Sequence, residues 1–413
     1  MNKVADNSLN NVLLFALSLN YVLWGVNWEI PIFGLPFSYL FVATVIFAAM
    51  FLPQSSYDLR DFAPIFFFIS IIIFYALFGL PDILTSDNVA RDLNFLIESI
   101  IKLVIAIFLI FVCQSLFRSE YDLRTFVSFS SLLLLPLALF LYWKYKIVWD
   151  VSWLGVAIDN PSKGGKNSFA SAVALLAPLL FINFKYNNLY KVLAAFGLIA
   201  FFILLFYVNS RSMVIVSIAQ LICFLCFTRM ISIKAKIVSF SLFLILAIPV
   251  MTQSEAILRW VTRQNVNEVI VNDSAIDTLA FTHRFWLLEE AADGFVDSKG
   301  FGNGTASFRI RPTNLGHRTE THNDYMLILY EQGLIGIIFF LNLLFYRFYR
   351  TVKAWKRTRD PCVLASLCMI TGTMIALVFM NFYTSLLFWI IIGLNVAIVN
   401  FSLRDNLKSL NFN

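Results

Sequence analysis

Residues 323–346 read NDYMLILYEQGLIGIIFFLNLLFY, and this stretch decides the fold class. About 20 mainly apolar residues are enough to cross a hydrocarbon core of about 30 Å as a helix. The rest of the chain has the same character, since 60% of its 413 residues are hydrophobic and only 14% are charged. An ordinary soluble domain carries about 25% charged residues. The sequence therefore predicts an all-α integral membrane protein and excludes a water-soluble globule.

Apolar windows of this length recur along the whole chain and predict about 12 transmembrane helices. They lie near residues 9–27, 30–52, 62–80, 93–117, 125–143, 168–184, 189–208, 212–228, 237–251, 323–346, 361–380 and 382–401. No internal repeat and no low-complexity linker divides the chain. We therefore interpret residues 1–413 as a single polytopic membrane domain.

The cations indicate the orientation of the spans. The first span has no small-residue cleavage site after it, which favours a retained anchor with a cytoplasmic start. With that start, seventeen Lys and Arg residues of the short segments fall inside, including the run from Arg347 to Arg359, and six fall outside. This asymmetry is the positive-inside pattern. It predicts that both termini are cytoplasmic, and it accounts for the net charge of +6 without a nucleic-acid partner.

One sizeable extramembrane region remains, the predicted outside loop 252–322, and we expect the active site there. Short helices are expected within it. Phe285, Leu288 and Ala292 fall at helical spacing on one face, which predicts a helix lying on the membrane surface. This helix should end near Gly294, because helices often stop at a glycine that takes a left-handed conformation.

The loop continues with a glycine-rich turn, GFGNG, at residues 300–304. Glycine lets a backbone approach a ligand closely, but a tight loop with no ligand uses it equally well. The flanking sequence lacks the strand and helix that a dinucleotide site or a P-loop needs. Both interpretations of the turn stay open.

All the histidines of the chain lie in this loop, together with a group of arginines. The histidines are His283, His317 and His322, and the arginines near them are Arg284, Arg309, Arg311 and Arg318. Histidine carries protons near neutral pH, and the planar donor fork of arginine suits phosphate oxygens. The combination fits a reaction with an anionic leaving group. No zinc spacing such as HExxH occurs, so we predict neither a metal nor a cofactor.

Polar residues also occur within or between the apolar stretches. Arg211 lies between two spans, where it faces either a polar cavity or, by snorkelling, the interface. Glu98 and Lys102 are four residues apart on one helix face, which indicates a structural ion pair or, alternatively, a substrate or proton path. Cys223 and Cys226 form a CxxC pair that we interpret as buried small residues rather than a zinc site.

Several short motifs follow one another in an order that resembles the O-antigen ligases and O-antigen polymerases of bacterial envelopes. They are SRS around Arg211, RFW at 284–286, GFGNGTASF at 300–308, HNDYM at 322–326 and YEQGLIGIIFF at 330–340. Together they cover about a quarter of the chain and centre on the long loop and the helix that follows it.

The resemblance implies a metal-independent, membrane-embedded glycosyltransferase of the bacterial inner membrane. It would move a saccharide from an undecaprenyl-diphosphate-linked donor to a sugar hydroxyl at the periplasmic face. The acceptor is lipid A-core for a ligase and a lipid-linked glycan for a polymerase, and the motifs leave this choice open. By resemblance, Arg211 and Arg284 hold the diphosphate and His322 acts as the base or positions the acceptor. Further substrate contacts are assigned to Arg309, Arg311, Arg318, His317 and Asn323.

A transporter or flippase of lipid-linked saccharides is the alternative. It would need polar groups along the full depth of the membrane and, commonly, matching interrupted helices in two halves of the chain. Here ionisable residues at mid-depth are sparse apart from Glu98 and Lys102. The sequence therefore favours the transferase.

Overall fold

A computed structural model describes most of the chain. It covers residues 2–23, 46, 59–86, 88–143, 165–185, 188–208, 211–228, 232–234, 236–238, 241, 275–310 and 321–411. Within these residues the regular elements are helices and no strand occurs. The α-helices are α1 (Asn2–Leu23), α2 (Leu59–Phe78), α3 (Leu80–Leu84), α4 (Val89–Leu116), α5 (Glu120–Tyr142), α6 (Gly165–Leu180), α7 (Asn188–Val208), α8 (Arg211–Phe227), α9 (Ala275–Asp297), α10 (Ser307–Ile310), α11 (Asp324–Thr358), α12 (Pro361–Ala376) and α13 (Leu386–Asn411).

Five helices of the described residues are long and apolar enough to cross a membrane. They are Arg60–Phe78, Val89–Leu116, Glu120–Phe140, Asp324–Thr358 and Leu386–Asn406. Shorter apolar helices lie at Ser8–Leu19, Val173–Asn183, Asn188–Leu204, Ser212–Phe227 and Pro361–Ala376. The all-helical membrane fold is confirmed. The predicted windows 30–52 and 237–251 lie almost entirely outside the described residues, so the number twelve stays a prediction.

The helices differ in how much of their surface faces other helices. The apolar window of α13 is 89% buried, against 39% for that of α4. A helix that is apolar all round is buried on all sides, which puts α13 at the centre of the bundle. On α4, by contrast, Ile97, Ile101, Val104 and Phe108 are exposed at spacings of three and four residues. We expect this stripe to be the face that α4 presents to lipid.

A buried ionic cluster joins α11 to α2 and α13. The Arg347 and Asp61 side chains are both fully buried, with Arg347 Nη1 3.2 Å from Asp61 Oδ1. Arg350 Nε lies 3.0 Å from the same oxygen, and Arg347 Nε donates to Asn395 Oδ1 at 2.8 Å. The prediction that Arg347 lies in an inside connecting segment is wrong. Arg347 belongs to α11, which stays helical to Thr358. Because its side chain is fully buried beside Asp61, it is a core residue and gives no information about the orientation of the spans.

Two other side-chain pairs were predicted, an ion pair on α4 and a pair of buried cysteines on α8. Lys102 Nζ lies 2.7 Å from Glu98 Oε1, so the predicted ion pair on α4 is confirmed. Cys223 is buried, and Thr371 Oγ1 donates to its sulfur at 3.4 Å. Cys226 is exposed, so the prediction that both cysteines are buried is wrong for Cys226.

Candidate active site

Helix α11 is interrupted near its start. Gly333 has φ 63° and ψ −158°, far from helical values. The backbone groups of α11 next to Gly333 therefore cannot all form hydrogen bonds within the helix. The glycine-rich turn 300–304 replaces them. Three bonds of 2.9 Å join the two segments: Asn303 N–H to Tyr330 O, Gly304 N–H to Glu331 O, and Leu334 N–H to Gly300 O. The backbone groups freed by the break are therefore paired inside the protein, as a membrane environment demands.

The residues after the turn fill a gap between helices. Thr305 N–H donates to Tyr75 O of α2 at 3.1 Å, and its hydroxyl donates to Ile72 O at 2.9 Å. Ala306 and Ile310 pack in a small apolar cluster with Leu96 of α4. The Gly300–Ile310 segment is thus wedged between α2, α4 and α11. Part of the predicted outside loop 252–322 consequently lies within the helix bundle.

This packing explains the glycines of the turn. A Cβ on Gly302 would lie 2.7 Å from Glu331 O, and one on Gly304 would lie 3.0 Å from Gly79 N. Both residues also have positive φ, 85° and 96°. The close backbone approach at these two positions is therefore to neighbouring helices, which supports the tight-loop interpretation of the turn.

Helix α9 presents a different face to the protein from the predicted one. Leu287 and Ala291 are completely buried, and α9 packs against α11. The predicted face contained Leu288 and Ala292, which are only half-buried, while the Phe285 side chain lies outside the described residues. The buried stripe is shifted by about one residue because α11, rather than a lipid surface, covers the helix.

The end of α9 was also predicted wrongly. The helix continues through Gly294 and ends at Asp297. A Cβ at Gly294 would overlap the Tyr330 ring, so this glycine is explained by contact with α11 rather than by a helix stop. The left-handed residues come later, at Lys299 with φ 55° and Gly300 with φ 81°.

His322 lies immediately before α11 on a tightly bonded stretch of backbone. Its φ is 53°, in a region that few residues other than glycine adopt. On one side of it, the Thr321 hydroxyl lies 2.9 Å from Asn323 O and 3.1 Å from Asn381 Oδ1. On the other side, Asn323 Oδ1 accepts from Met326 N–H at 3.1 Å and so caps α11.

Asp324 fastens this stretch to the connection between α12 and α13. Its N–H donates to Leu377 O at 2.8 Å. Its buried carboxylate oxygen Oδ2 accepts from Phe382 N–H at 2.6 Å and from Tyr383 N–H at 2.7 Å. Residues 321–324 and 377–383 therefore form one hydrogen-bonded unit around His322.

A second buried acid, Glu331, lies two helical turns farther along α11. Its Oε2 accepts from the Tyr383 hydroxyl and from Gln332 Nε2, each at 3.2 Å. Tyr383 thus contacts both acids, Asp324 through its backbone and Glu331 through its side chain. Arg309, half-buried on α10, interacts electrostatically with both carboxylates. The result is a second polar cluster in the interior of the bundle, here called the Asp324–Glu331 cluster.

The structure places only some of the predicted site residues. His322, Asn323 and Arg309 belong to or adjoin the Asp324–Glu331 cluster. Arg211 begins α8 and Arg284 lies on α9, but their side chains are outside the described residues. Arg311, His317 and Arg318 fall outside them entirely. The convergence of the arginines on His322 stays a prediction.

Sequence reasoning missed Asp324, Glu331 and Tyr383. A signal for the two acids was present, because they are the acidic residues of the span 323–346 and lie seven positions apart, on one face of a helix. Ionisable residues within a span are rare and usually functional. Tyr383 gave no such signal, since its role depends on a contact with a distant helix.

No group of three or more His, Cys, Asp or Glu residues that could hold a metal ion occurs in the described part of the chain. The metal-independent mechanism stays a prediction.

Comparison with known proteins gives one finding. The family described as O-antigen ligase matches residues 194–341. No curated protein matches the chain. The matched range contains Arg211, α9 with Arg284, the Gly300–Ile310 segment, His322 and the break at Gly333. This match supports the predicted resemblance to the O-antigen ligases and polymerases over residues 194–341.

Proposed function

We propose that the protein is a membrane glycosyltransferase that moves a saccharide from an undecaprenyl-diphosphate-linked donor to a sugar hydroxyl. The observation that carries this proposal is His322. It has an unfavourable backbone conformation, lies within the family-matched range and is held by hydrogen bonds on both sides. Non-glycine residues with positive φ cluster at functional sites, where the surrounding structure holds them in place.

His322 is proposed to act on the acceptor. A sugar hydroxyl has a high pKa, so a base positioned beside it contributes about 10² to 10⁴ in rate. The neutral imidazole takes the hydroxyl proton while the oxygen attacks the anomeric carbon of the donor. The diphosphate departs with the electrons of the bond that it leaves.

Arg211 and Arg284 are proposed to hold that diphosphate. They belong to two separate helices, α8 and α9, within the matched range. Fixed positive donors stabilise charge that develops on a leaving group, and arginine binds phosphate oxygens in a bidentate manner. Arg309, Arg311, Arg318, His317 and Asn323 are proposed contacts for the remaining sugar and phosphate groups.

The reaction is proposed to face the periplasm from the bacterial inner membrane, with both termini cytoplasmic. The acceptor is then lipid A-core for an O-antigen ligase or a lipid-linked glycan for a repeat-unit polymerase. The donor chemistry is the same in both cases. The acceptor surface is what distinguishes the ligase from the polymerase.

Surface polysaccharide on gels from a deletion strain tests the proposal. We expect His322→Ala, Arg211→Ala and Arg284→Ala each to lower transfer by about 10²-fold or more, at unchanged membrane levels of the protein. His283→Ala and Arg404→Ala are matched controls of the same residue types and should keep the wild-type pattern.

The glycan pattern that remains in the inactive variants then distinguishes a ligase from a polymerase. A single repeat on the core indicates a lost polymerase, and a bare core with accumulating lipid-linked polymer indicates a lost ligase. A wild-type ladder from all three variants would contradict the transferase.

Asn323 offers a separate prediction, because its side chain already caps α11. Asn323→Ala should lower the stability by about 1 kcal/mol through loss of the cap. Asn323→Asp keeps the capping oxygen and should restore the melting temperature. If Nδ2 contacts the glycan, as proposed, the Asp variant stays slow in transfer. Full recovery of transfer by Asn323→Asp would leave Asn323 with the capping role only.

A further inference from the structure

Beyond the assigned site residues, we propose that Asp324 is a positioning residue for His322, and that it acts by fastening the connection Leu377–Ser385 to the start of α11. This inference rests on the proposed role of His322. It adds to the site a segment that lies outside the family-matched range 194–341.

The burial of Asp324 supports a positioning role. Its side chain is fully buried, and a buried carboxylate is costly unless hydrogen bonds compensate for the lost water. Oδ2 accepts from two backbone amides at 2.6 and 2.7 Å, both short for N–H···O bonds. Both donors belong to Phe382 and Tyr383. The carboxylate is therefore used to hold one particular piece of backbone.

Asp324 holds both ends of that connection. The Asp324 N–H binds Leu377 O at 2.8 Å, where α12 has just ended. Its carboxylate binds the amides of residues 382 and 383, shortly before α13 begins. The connection can therefore move relative to α11 only if these bonds break.

His322 lies between the two fastening points. Thr321, one residue before it, contacts Asn381 Oδ1 at 3.1 Å, and Asp324 follows two residues after it. The left-handed φ of His322 is thus enforced from both sides by the same connection. A base displaced by about 1 Å can lose 10²-fold in rate, so the rigidity of this unit bears directly on turnover.

Asp324→Asn is the variant that tests the idea, because it keeps the shape of the side chain but exchanges the carboxyl group for an amide, which holds the two backbone N–H groups less strongly. Turnover is measured as initial transfer in membrane vesicles of the deletion strain, which contain the strain's own donor and acceptor. Donor binding is measured on the purified full chain with undecaprenyl diphosphate as the probe. We expect turnover per folded molecule to fall by about 10- to 100-fold, with the affinity for the probe changed less than about twofold.

Asp122→Asn is the matched control for the loss of a buried carboxylate. Asp122 is also buried and belongs to the first turn of α5. It accepts from Arg118 N–H, the Ser119 hydroxyl and Asn10 Nδ2, so its partners lie in α1 and just before α5. This variant is expected to melt at a lower temperature while each folded molecule keeps its wild-type turnover. Thr321→Val removes the hydroxyl contacts with Asn381 Oδ1 and with the Asn323 backbone. It should slow turnover several-fold, and it tests the same unit if Asp324→Asn folds poorly.

A double-mutant cycle distinguishes positioning from a general structural effect. In a His322→Ala background, Asp324→Asn should cause no further loss, since there is no imidazole left to position. A further loss of similar size, wild-type turnover of Asp324→Asn, or a parallel loss of probe binding would each overturn the proposal. Wild-type turnover of His322→Ala alone would refute the proposed base itself, and with it the positioning role.

Discussion

Gly333→Ala is expected to leave no folded protein in the membrane. The backbone at this position, φ 63° and ψ −158°, belongs to a region that is essentially restricted to glycine. A Cβ there would overlap Gly300 O and the Phe301 backbone. To make room, the glycine-rich turn must move away from α11.

The expected loss of stability follows from the hydrogen bonds that this movement breaks. Three backbone hydrogen bonds of about 1 kcal/mol each would be lost, and the groups left unpaired in the interior cost about 1–3 kcal/mol each. The strained backbone adds about 1–3 kcal/mol. The sum is comparable with a total stability of about 5–15 kcal/mol. Size-exclusion chromatography of a fluorescent fusion protein measures the folded fraction directly.

Gly300→Ala is the matched control. Gly300 also has positive φ, at 81°, but a Cβ there meets only the Phe295 ring at 3.5 Å, an ordinary contact. This variant should carry only the cost of a left-handed alanine, about 1–2 kcal/mol, and should fold. Equal behaviour of the two variants would mean that the break in α11 does not depend on the docked turn.

Asp61→Asn is expected to destabilise the protein by about 3–5 kcal/mol, because it leaves the fully buried Arg347 guanidinium without its carboxylate. Arg350 loses the same partner. Thermal unfolding of the purified protein in nanodiscs checks the prediction. Asp405→Asn removes the carboxylate of an exposed pair, in which the side chains are 45% and 53% exposed, and should change stability by less than about 1 kcal/mol.

A second replacement tests the cause. Adding Arg347→Met to Asp61→Asn removes the unpaired charge, and a buried pair replaced by neutral groups is often close to neutral in stability. The double variant should therefore unfold at a higher temperature than Asp61→Asn alone. If it is less stable instead, the cluster acts through its hydrogen bonds to Asn395 rather than through the charge pair.

The helices could be predicted well because a membrane span depends on local composition. The window predicted at 189–208, for example, corresponds to the helix Asn188–Val208. The contacts of α9 could not be predicted in the same way. Its apolar residues fit several faces, and only the neighbouring α11 decides that Leu287 and Ala291 are buried.

Contacts between distant residues were beyond sequence reasoning. Asp61 and Arg347 are 286 positions apart, and nothing local to either residue indicates that they meet. At the site, the clustering of His322 with arginines was visible in a chain poor in titratable groups. The hydrogen bonds from Asp324 to residues 382 and 383 were not, because their donors are main-chain amides, which every sequence contains.

The hydrogen-bonded unit around His322 has a consequence for exchanging parts between relatives. Residues 194–341 would be the natural piece to transplant into a relative, since they are the range that matches the O-antigen ligase family. Such a chimera would carry Thr321 and Asp324 but leave Asn381, Phe382 and Tyr383 behind, and with them the partners of both residues. A graft that includes the chain through Ser385 keeps the whole unit intact, so the boundary for a working hybrid lies after α12 rather than within α11.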